Sequence, residues 1–343
     1  MRLTTLTRLA RRRSLAVAFA GVLIATSASL APASATTPGA TAATSQTTAT
    51  AVVALATATT TRTCFGAQAM AHRATCVTDV KKALSPRPWV AAEDVPEIYT
   101  DECRSAPQEA AVKPCTFGSA TGKVKAVLIG DSHAANWFPA VKFVAERHGW
   151  DLTVYFKASC PWNATAQAWT DSVSRDSCAQ WNVDVTAALL DDPPNLIITS
   201  ALFGRQWESG DAGVQAAVDG YATSWQQLTE AGSTVLPIAD TPQMSGRAQQ
   251  CITKSSPQTR NCGTPRTTAL NDPPVIGLAA RRVDGVAPIN LNRFFCTSTF
   301  CTYAIGSVTV YRDRGHLTAT YQRTLGPYLN KRIPDQFYAA KYR

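Results

Sequence analysis

The period of the apolar positions changes along this chain, and the changes mark its elements. Val124–Ile129, apolar except for Lys125, has the length and density of a buried strand. In Trp137–His148 the residues Trp137, Val141, Val144 and Ala145 recur on one helical face. Further strands are predicted at Leu152–Phe156, Leu196–Ser200, Thr234–Ala239 and near Ala287–Leu291, and helices at Ser177–Leu190, Val214–Ala231, Val275–Val283 and Thr318–Ile333. Strands that alternate with helices predict a parallel sheet covered on both faces: one α/β domain of doubly wound type.

Upstream of Lys125 the pattern fades. Residues 62–122 are Pro-rich, carry four cysteines and show no sustained period, so they are expected to form an irregular, disulfide-stapled lead-in to a domain spanning 62–343. Residues 36–61 are almost wholly Thr, Ala, Ser, Gln and Pro without charge, which predicts a flexible linker. Residues 1–35 have a basic head, an apolar stretch from Leu15 to Leu30 and the ending Ala33-Ser34-Ala35, the make-up of a cleavable signal peptide. That apolar stretch is shorter than the roughly 20 residues a bilayer span needs, which makes a retained anchor the second reading. Export and a secreted or extracytoplasmic location, with cell-wall association as one form of it, are the expectation.

This reading changes the meaning of the charge. The formal +9 suggests a polyanion partner, yet Arg2, Arg8, Arg11, Arg12 and Arg13 carry more than half of it. No Lys/Arg stripe with interleaved aromatics follows, so nucleic acid is not an expected partner. Ten cysteines after the cleavage site fit an oxidising compartment. They fall in neighbouring pairs, and short loops favour Cys64–Cys76, Cys103–Cys115, Cys160–Cys178, Cys251–Cys262 and Cys296–Cys301. Zinc-type spacings do not occur, so neither metal nor cofactor is expected.

Candidate chemistry lies in two segments. Gly130-Asp131-Ser132-His133 follows the first predicted strand, where ligands of α/β sheets bind and where Ser132 opens a helix. Asp313 and His316 lie three residues apart just before the last helix. A serine hydroxyl is a weak nucleophile until a base takes its proton, and a carboxylate beside the base orients it. Ser132, Asp313 and His316 are therefore the candidate triad.

Gly-Asp-Ser-His after strand one and Asp-x-x-His-Leu before the last helix resemble the SGNH hydrolase superfamily. Cys64-Phe65-Gly66-Ala67, Cys115-Thr116-Phe117-Gly118, Lys157-Ala158-Ser159-Cys160-Pro161 and Tyr311-Arg312-Asp313 look like the SGNH domains fused to membrane acyltransferase-3 proteins, which O-acylate bacterial surface glycans. The resemblance runs from about Cys64 to Ile333 and implies a three-layer α/β/α sandwich with a flavodoxin-like sheet. It also implies a triad serine that attacks acyl carbonyls of an envelope polysaccharide or glycolipid. The membrane acyltransferase is absent from this chain, so a separate acyltransferase-3 protein is an expected partner. The superfamily's oxyanion-hole Gly and Asn loops are absent too. Backbone amides of Ser132 and Ser159, or polar groups of Ser200 and Arg205, are the candidate replacements.

Other residues have plain readings. Asp131 is expected to cap a helix, His133 to be structural or to touch substrate, and His72 and His148 to lie at the surface. Among Trp137, Trp162, Trp169, Trp181, Trp207 and Trp225, core packing is the default, while Trp162 and Trp207 fall in loops where a ring could stack on a sugar. Asn163-Ala164-Thr165 matches a glycosylation sequon. The function expected is a secreted serine O-acyl esterase or O-acyltransferase for short acyl groups, acetyl first. A glycan-binding or scaffold protein that keeps the fold without turnover is the alternative.

Overall fold

A computed structural model describes residues 62–77, 82–100, 102–168, 171–202, 207, 210–254, 262–271 and 273–340. The expected signal peptide 1–35 and linker 36–61, together with Trp169 and Arg205, lie outside them.

The central sheet is built from β1 (Arg104–Ser105), β2 (Cys115–Gly118), β3 (Lys125–Gly130), β4 (Asp151–Lys157), β5 (Leu196–Ser200) and β6 (Thr234–Pro237). Five strands run parallel in the order β1-β4-β3-β5-β6, and from β3 onward the chain winds outward both ways. Gly285–Ile289 continues the sheet beside β6, with Ala287 N–H donating to Val235 and Ile289 N–H to Pro237. Pro288, between them, falls where the ladder needs no donor.

Alternation along β3 supplies both faces of the core. Ala126 and Leu128 join the cluster under α2 (Phe138–His148) and α5 (Ala319–Asn330), which includes Val141, Val144, Tyr321, Leu325 and Leu329. Val127 and Ile129 join Trp181 and Val185 of α3 (Ser172–Asp191) and Ala217, Tyr221 and Trp225 of α4 (Asp211–Glu230). This is a mixed α/β sandwich with a mostly parallel sheet between helical layers.

The sequence reading needs correcting at several points. The lead-in is not merely packed on the domain: β1 pairs parallel and β2 antiparallel with β4. Strands of two and four residues are too short to register as a period. Lys157, fully buried, anchors the same segment, its ammonium donating to the carbonyls of Ala106, Pro107 and Glu109 at 2.8, 3.0 and 2.5 Å. Helix α3 starts five residues earlier than its apolar period, because Asp171 caps it by accepting from Val173 N–H at 3.1 Å. His148 is not at the surface; it is buried against Tyr338 with ring centroids 4.5 Å apart and hydrogen-bonds Asn330 at 2.7 Å. The sequon residue Asn163 is buried, its amide donating to the Ala217 carbonyl, so the folded chain does not offer it for glycosylation. Five disulfides join Cys64–Cys76, Cys103–Cys115, Cys160–Cys178, Cys251–Cys262 and Cys296–Cys301.

Candidate active site

Strand β3 ends at Gly130, whose φ of +145° turns the chain sharply. A Cβ there would lie 2.4 Å from the Ser200 carbonyl oxygen and 2.9 Å from Ala134 Cβ, so only glycine lets the strand end this close to β5. Asp131 follows, buried, with one carboxylate oxygen accepting from His133 N–H at 2.8 Å and the other from Leu202 N–H at 3.1 Å. It caps the short helix α1 (Ser132–Ala135) and ties it to the end of β5. Ser132 is thereby held at the carboxyl edge of the sheet.

The second segment reaches the same edge from the other end of the chain. The loop 311–318 is pinned by Asn136, whose amide donates to the Gly315 carbonyl at 3.2 Å and whose oxygen accepts from Leu317 N–H at 3.0 Å. Thr241 donates its hydroxyl to the same carbonyl at 3.0 Å. Asp313 folds the loop on itself by accepting from the N–H groups of Gly315 at 2.9 Å and His316 at 2.7 Å. Its other oxygen lies 2.7 Å from His316 Nδ1, and His316 Nε2 lies 2.8 Å from Ser132 Oγ. The three side chains thus form one hydrogen-bonded chain. Burial works to raise the pKa of Asp313, but the hydrogen bond and charge of His316 and the two backbone amides outweigh it and hold the carboxyl well below the usual carboxylate range. A carboxylate, an imidazole and a hydroxyl in this order can strip a proton from the hydroxyl as it attacks an acyl carbon.

The other candidates part company. Ser159 follows β4 with φ +59°, in the left-handed region that non-glycine residues seldom occupy. Because Gly130 pairs with Phe156, the two chains leave their strands side by side, and Ser132 and Ser159 emerge at the same edge. Ser200 is buried with its hydroxyl donating to the Ile238 carbonyl at 2.9 Å, so that hydroxyl is engaged in joining β5 to the segment after β6 rather than aimed at a ligand. Trp162 is 0% exposed and its indole N–H donates to Thr186, which rules out the stacking platform expected of it. Trp207 is half-buried and packs on Tyr221 of α4, centroids 5.7 Å apart. His133 is buried as well, and its ring hydrogen-bonds Asp240 instead of facing solvent.

Asp240 and Asn136 were not identified from the sequence. Asp240 sits just past a predicted strand, which was its one signal; the 107 residues between it and His133 hid the pairing. Asp240 and Thr241 also border a cavity of about 450 Å³ whose walls include Arg266, Leu270, Pro273 and Asn290. Among the described residues no group of three or more His, Cys, Asp or Glu side chains is placed to hold a metal ion, and no helix is long and apolar enough to cross a membrane.

A doubly wound sandwich with Gly-Asp-Ser-His at the end of β3 and Asp-x-x-His before its last helix defines the SGNH class of α/β domains. The family model described as SGNH domain (fused to AT3 domains) matches residues 102–331, and the chain belongs to that family. Among solved structures, the periplasmic domain of the lipopolysaccharide acetyltransferase of Salmonella ser. Paratyphi A has the same fold, with a TM-score of 0.53 over 75% of this chain and 97% of that one, at 17% identity. No curated protein matches the sequence.

Proposed function

We propose that this protein is an extracytoplasmic serine O-acyl esterase or O-acyltransferase that moves short acyl groups, acetyl first, on hydroxyls of envelope glycans. The observation that carries this reading is the continuous chain from Asp313 through His316 to Ser132, at 2.7 and 2.8 Å. Family membership and the acetyltransferase domain of like fold favour glycans and acetyl as its objects.

In this mechanism His316 Nε2 takes the Ser132 proton as Oγ bonds to the acyl carbon, and the carbonyl electron pair moves onto its oxygen. The amides of Ser132 and Ser159 are the proposed donors to that oxyanion, and the left-handed turn at Ser159 is the feature that supports the second. On collapse the bond from the acyl carbon to the departing oxygen breaks, and that oxygen takes the proton from His316. A second hydroxyl then repeats the sequence: water gives hydrolysis and a sugar hydroxyl gives transfer. Asp313 stays ionised and holds the ring. The cavity beside Asp240 is the proposed seat of the glycan, since its carboxylate, guanidinium and amide groups suit a polyol and its Pro and Leu wall suits an apolar sugar face. For transfer, a separate membrane acyltransferase-3 protein is the proposed source of the acyl group.

The test is to incubate the full chain with a chromogenic acetyl ester and follow Ser132 by mass spectrometry, with and without an O-deacetylated envelope glycan. An acetyl group on Ser132 that discharges to water marks an esterase, and one that persists until glycan is added marks a transferase. Turnover that survives Ser132→Ala overturns the reading.

A further inference from the structure

A second imidazole–carboxylate pair stands beside the first. His133 Nδ1 hydrogen-bonds Asp240 Oδ1, and the His133 ring faces that of His316 with centroids 5.1 Å apart and planes inclined by 55°. The side chains of His133 and Asp240 are only 4% and 9% exposed. Each is held by a backbone contact as well. Asp240 Oδ1 accepts from Thr241 N–H at 2.7 Å, and His133 N–H donates to Asp131. Thr241 in turn donates to Gly315, inside the loop that carries His316. The pair is thus tied into both segments of the candidate site while leaving Ser132 partly exposed.

A carboxylate buried this deeply is stable only against a positive charge or several donors, and the imidazole is the cation at hand. Burial alone would lower the pKa of His133. The charge and hydrogen bond of Asp240, with the charges of Asp131 and Asp313, outweigh burial and push it up to about 9. The charged and titratable groups around it are Asp131 beyond β3, Asp240 beyond β6, and Asp313 and His316 on the loop before α5. Tyr221 of α4 and Tyr311 of that loop lie within electrostatic reach of Asp240. Arg312 Nη1 stands 3.9 Å from Asp313 Oδ2, the oxygen that meets His316 Nδ1.

We propose that His133, held as a cation by Asp240, is a positioning residue for His316. It packs against one face of the ring and sets a fixed positive charge beside the path by which the proton taken from Ser132 reaches the departing oxygen. The inference rests on the reading of Ser132 as nucleophile and His316 as base. It adds a part that the triad alone does not contain, because a Ser–His–Asp chain works without a second imidazolium.

The experiment is the rate at which a fluorophosphonate modifies Ser132 in the full chain, measured from pH 5 to 10 for the native protein, His133→Gln and Asp240→Asn. Both substitutions remove the fixed cation, so the acidic limb of the profile is expected to move to higher pH by about one unit, with a maximal rate about tenfold lower. His133→Gln leaves the Asp240 carboxylate in place, so its limb should move at least as far as that of Asp240→Asn, which removes both charges. A limb that stays in place in a folded variant, with rate loss tracking thermal stability, overturns the proposal. Should neither variant fold, nuclear magnetic resonance titration of the native histidines decides. The proposal requires His133 to stay protonated through pH 8, and a ring that becomes neutral below that pH overturns it. Failure of the underlying reading looks different: Ser132 would then not be labelled at all, or His316→Ala would label as fast as the native chain.

Discussion

His316 Nε2 lies 2.8 Å from the Ser132 hydroxyl although 184 residues separate them. Nothing local enforces that contact. It depends on Gly130 ending β3 against β5, on Asp131 capping α1, and on Asn136 reaching across to the loop that holds His316. Each dependence is open to measurement.

The first concerns the chain of three side chains. Ser132→Ala, His316→Ala and Asp313→Asn should each reduce turnover of an acetyl ester by about 10⁴-fold, and the double variant Ser132→Ala/His316→Ala should be no worse than either single one, because the residues act as a unit. Additive losses in the double variant would mean separate roles. Unchanged unfolding midpoints are expected for Ser132→Ala.

Asn136 is the second. It is 1% exposed and satisfies the Gly315 carbonyl and the Leu317 amide together. Asn136→Leu strands the Leu317 amide and leaves the Gly315 carbonyl to Thr241 alone, and should destabilise the fold by about 1–3 kcal/mol, seen in urea unfolding. Because the same bonds set the height of His316, kcat should fall further than the population of folded protein accounts for. Asn136→Asp keeps the acceptor and should recover part of the stability.

The pH dependence of stability follows from His133. Its pKa is about 9 in the folded chain and about 6.5 when unfolded, so the folded state binds the proton more tightly. The stabilisation is complete below about pH 6.5 and is lost as pH rises through 9. Asp313 works in the opposite sense: its lowered pKa stabilises the fold above the ordinary carboxylate range and is lost on acidification. The difference in thermal midpoint between the native protein and His133→Gln should therefore be greatest near pH 6 and close toward pH 10. A constant difference would refute the assignment of charge to His133.

Much of this arrangement is legible in the residues. The parallel sheet follows from strands alternating with helices, and Ser132 stands at its carboxyl edge because it follows the first of them, while Asp313 and His316 declare themselves by their spacing before the last helix. Short-range features such as the Asp131 cap and the neighbouring cysteine pairs are also readable, since the partners lie close in sequence. What stays hidden depends on distance or on shape. The contact of Asp240 with His133 spans 107 residues and has no spacing to betray it. Trp162 sits in a loop by its neighbours, yet its ring turns inward onto α3, and a linear pattern does not report the direction of a loop side chain. The two-residue strand β1 is too brief to have a period at all.

Lys157 joins fold to site and yields the last prediction. Its three donors hold the carbonyls of Ala106, Pro107 and Glu109, so it fastens the lead-in to the end of β4. Two residues on, Ser159 makes its left-handed turn, and the Cys160–Cys178 disulfide fixes the far side of that turn. Lys157→Met keeps the length of the side chain and takes one donor from each of three carbonyls, of which Ala106 keeps the Glu109 amide and Pro107 the Ser177 hydroxyl, at a cost of about 1–3 kcal/mol. The Ser159 turn then loses one of its supports. If the Ser159 amide meets the oxyanion, a displacement of about 1 Å costs up to about 100-fold in kcat with little change in KM, because the ground-state carbonyl binds it weakly. If Ser159 has no such part, Lys157→Met lowers the unfolding midpoint and leaves kcat of the folded fraction intact. Steady-state kinetics below the midpoint, paired with urea unfolding of the same preparation, separate the two outcomes.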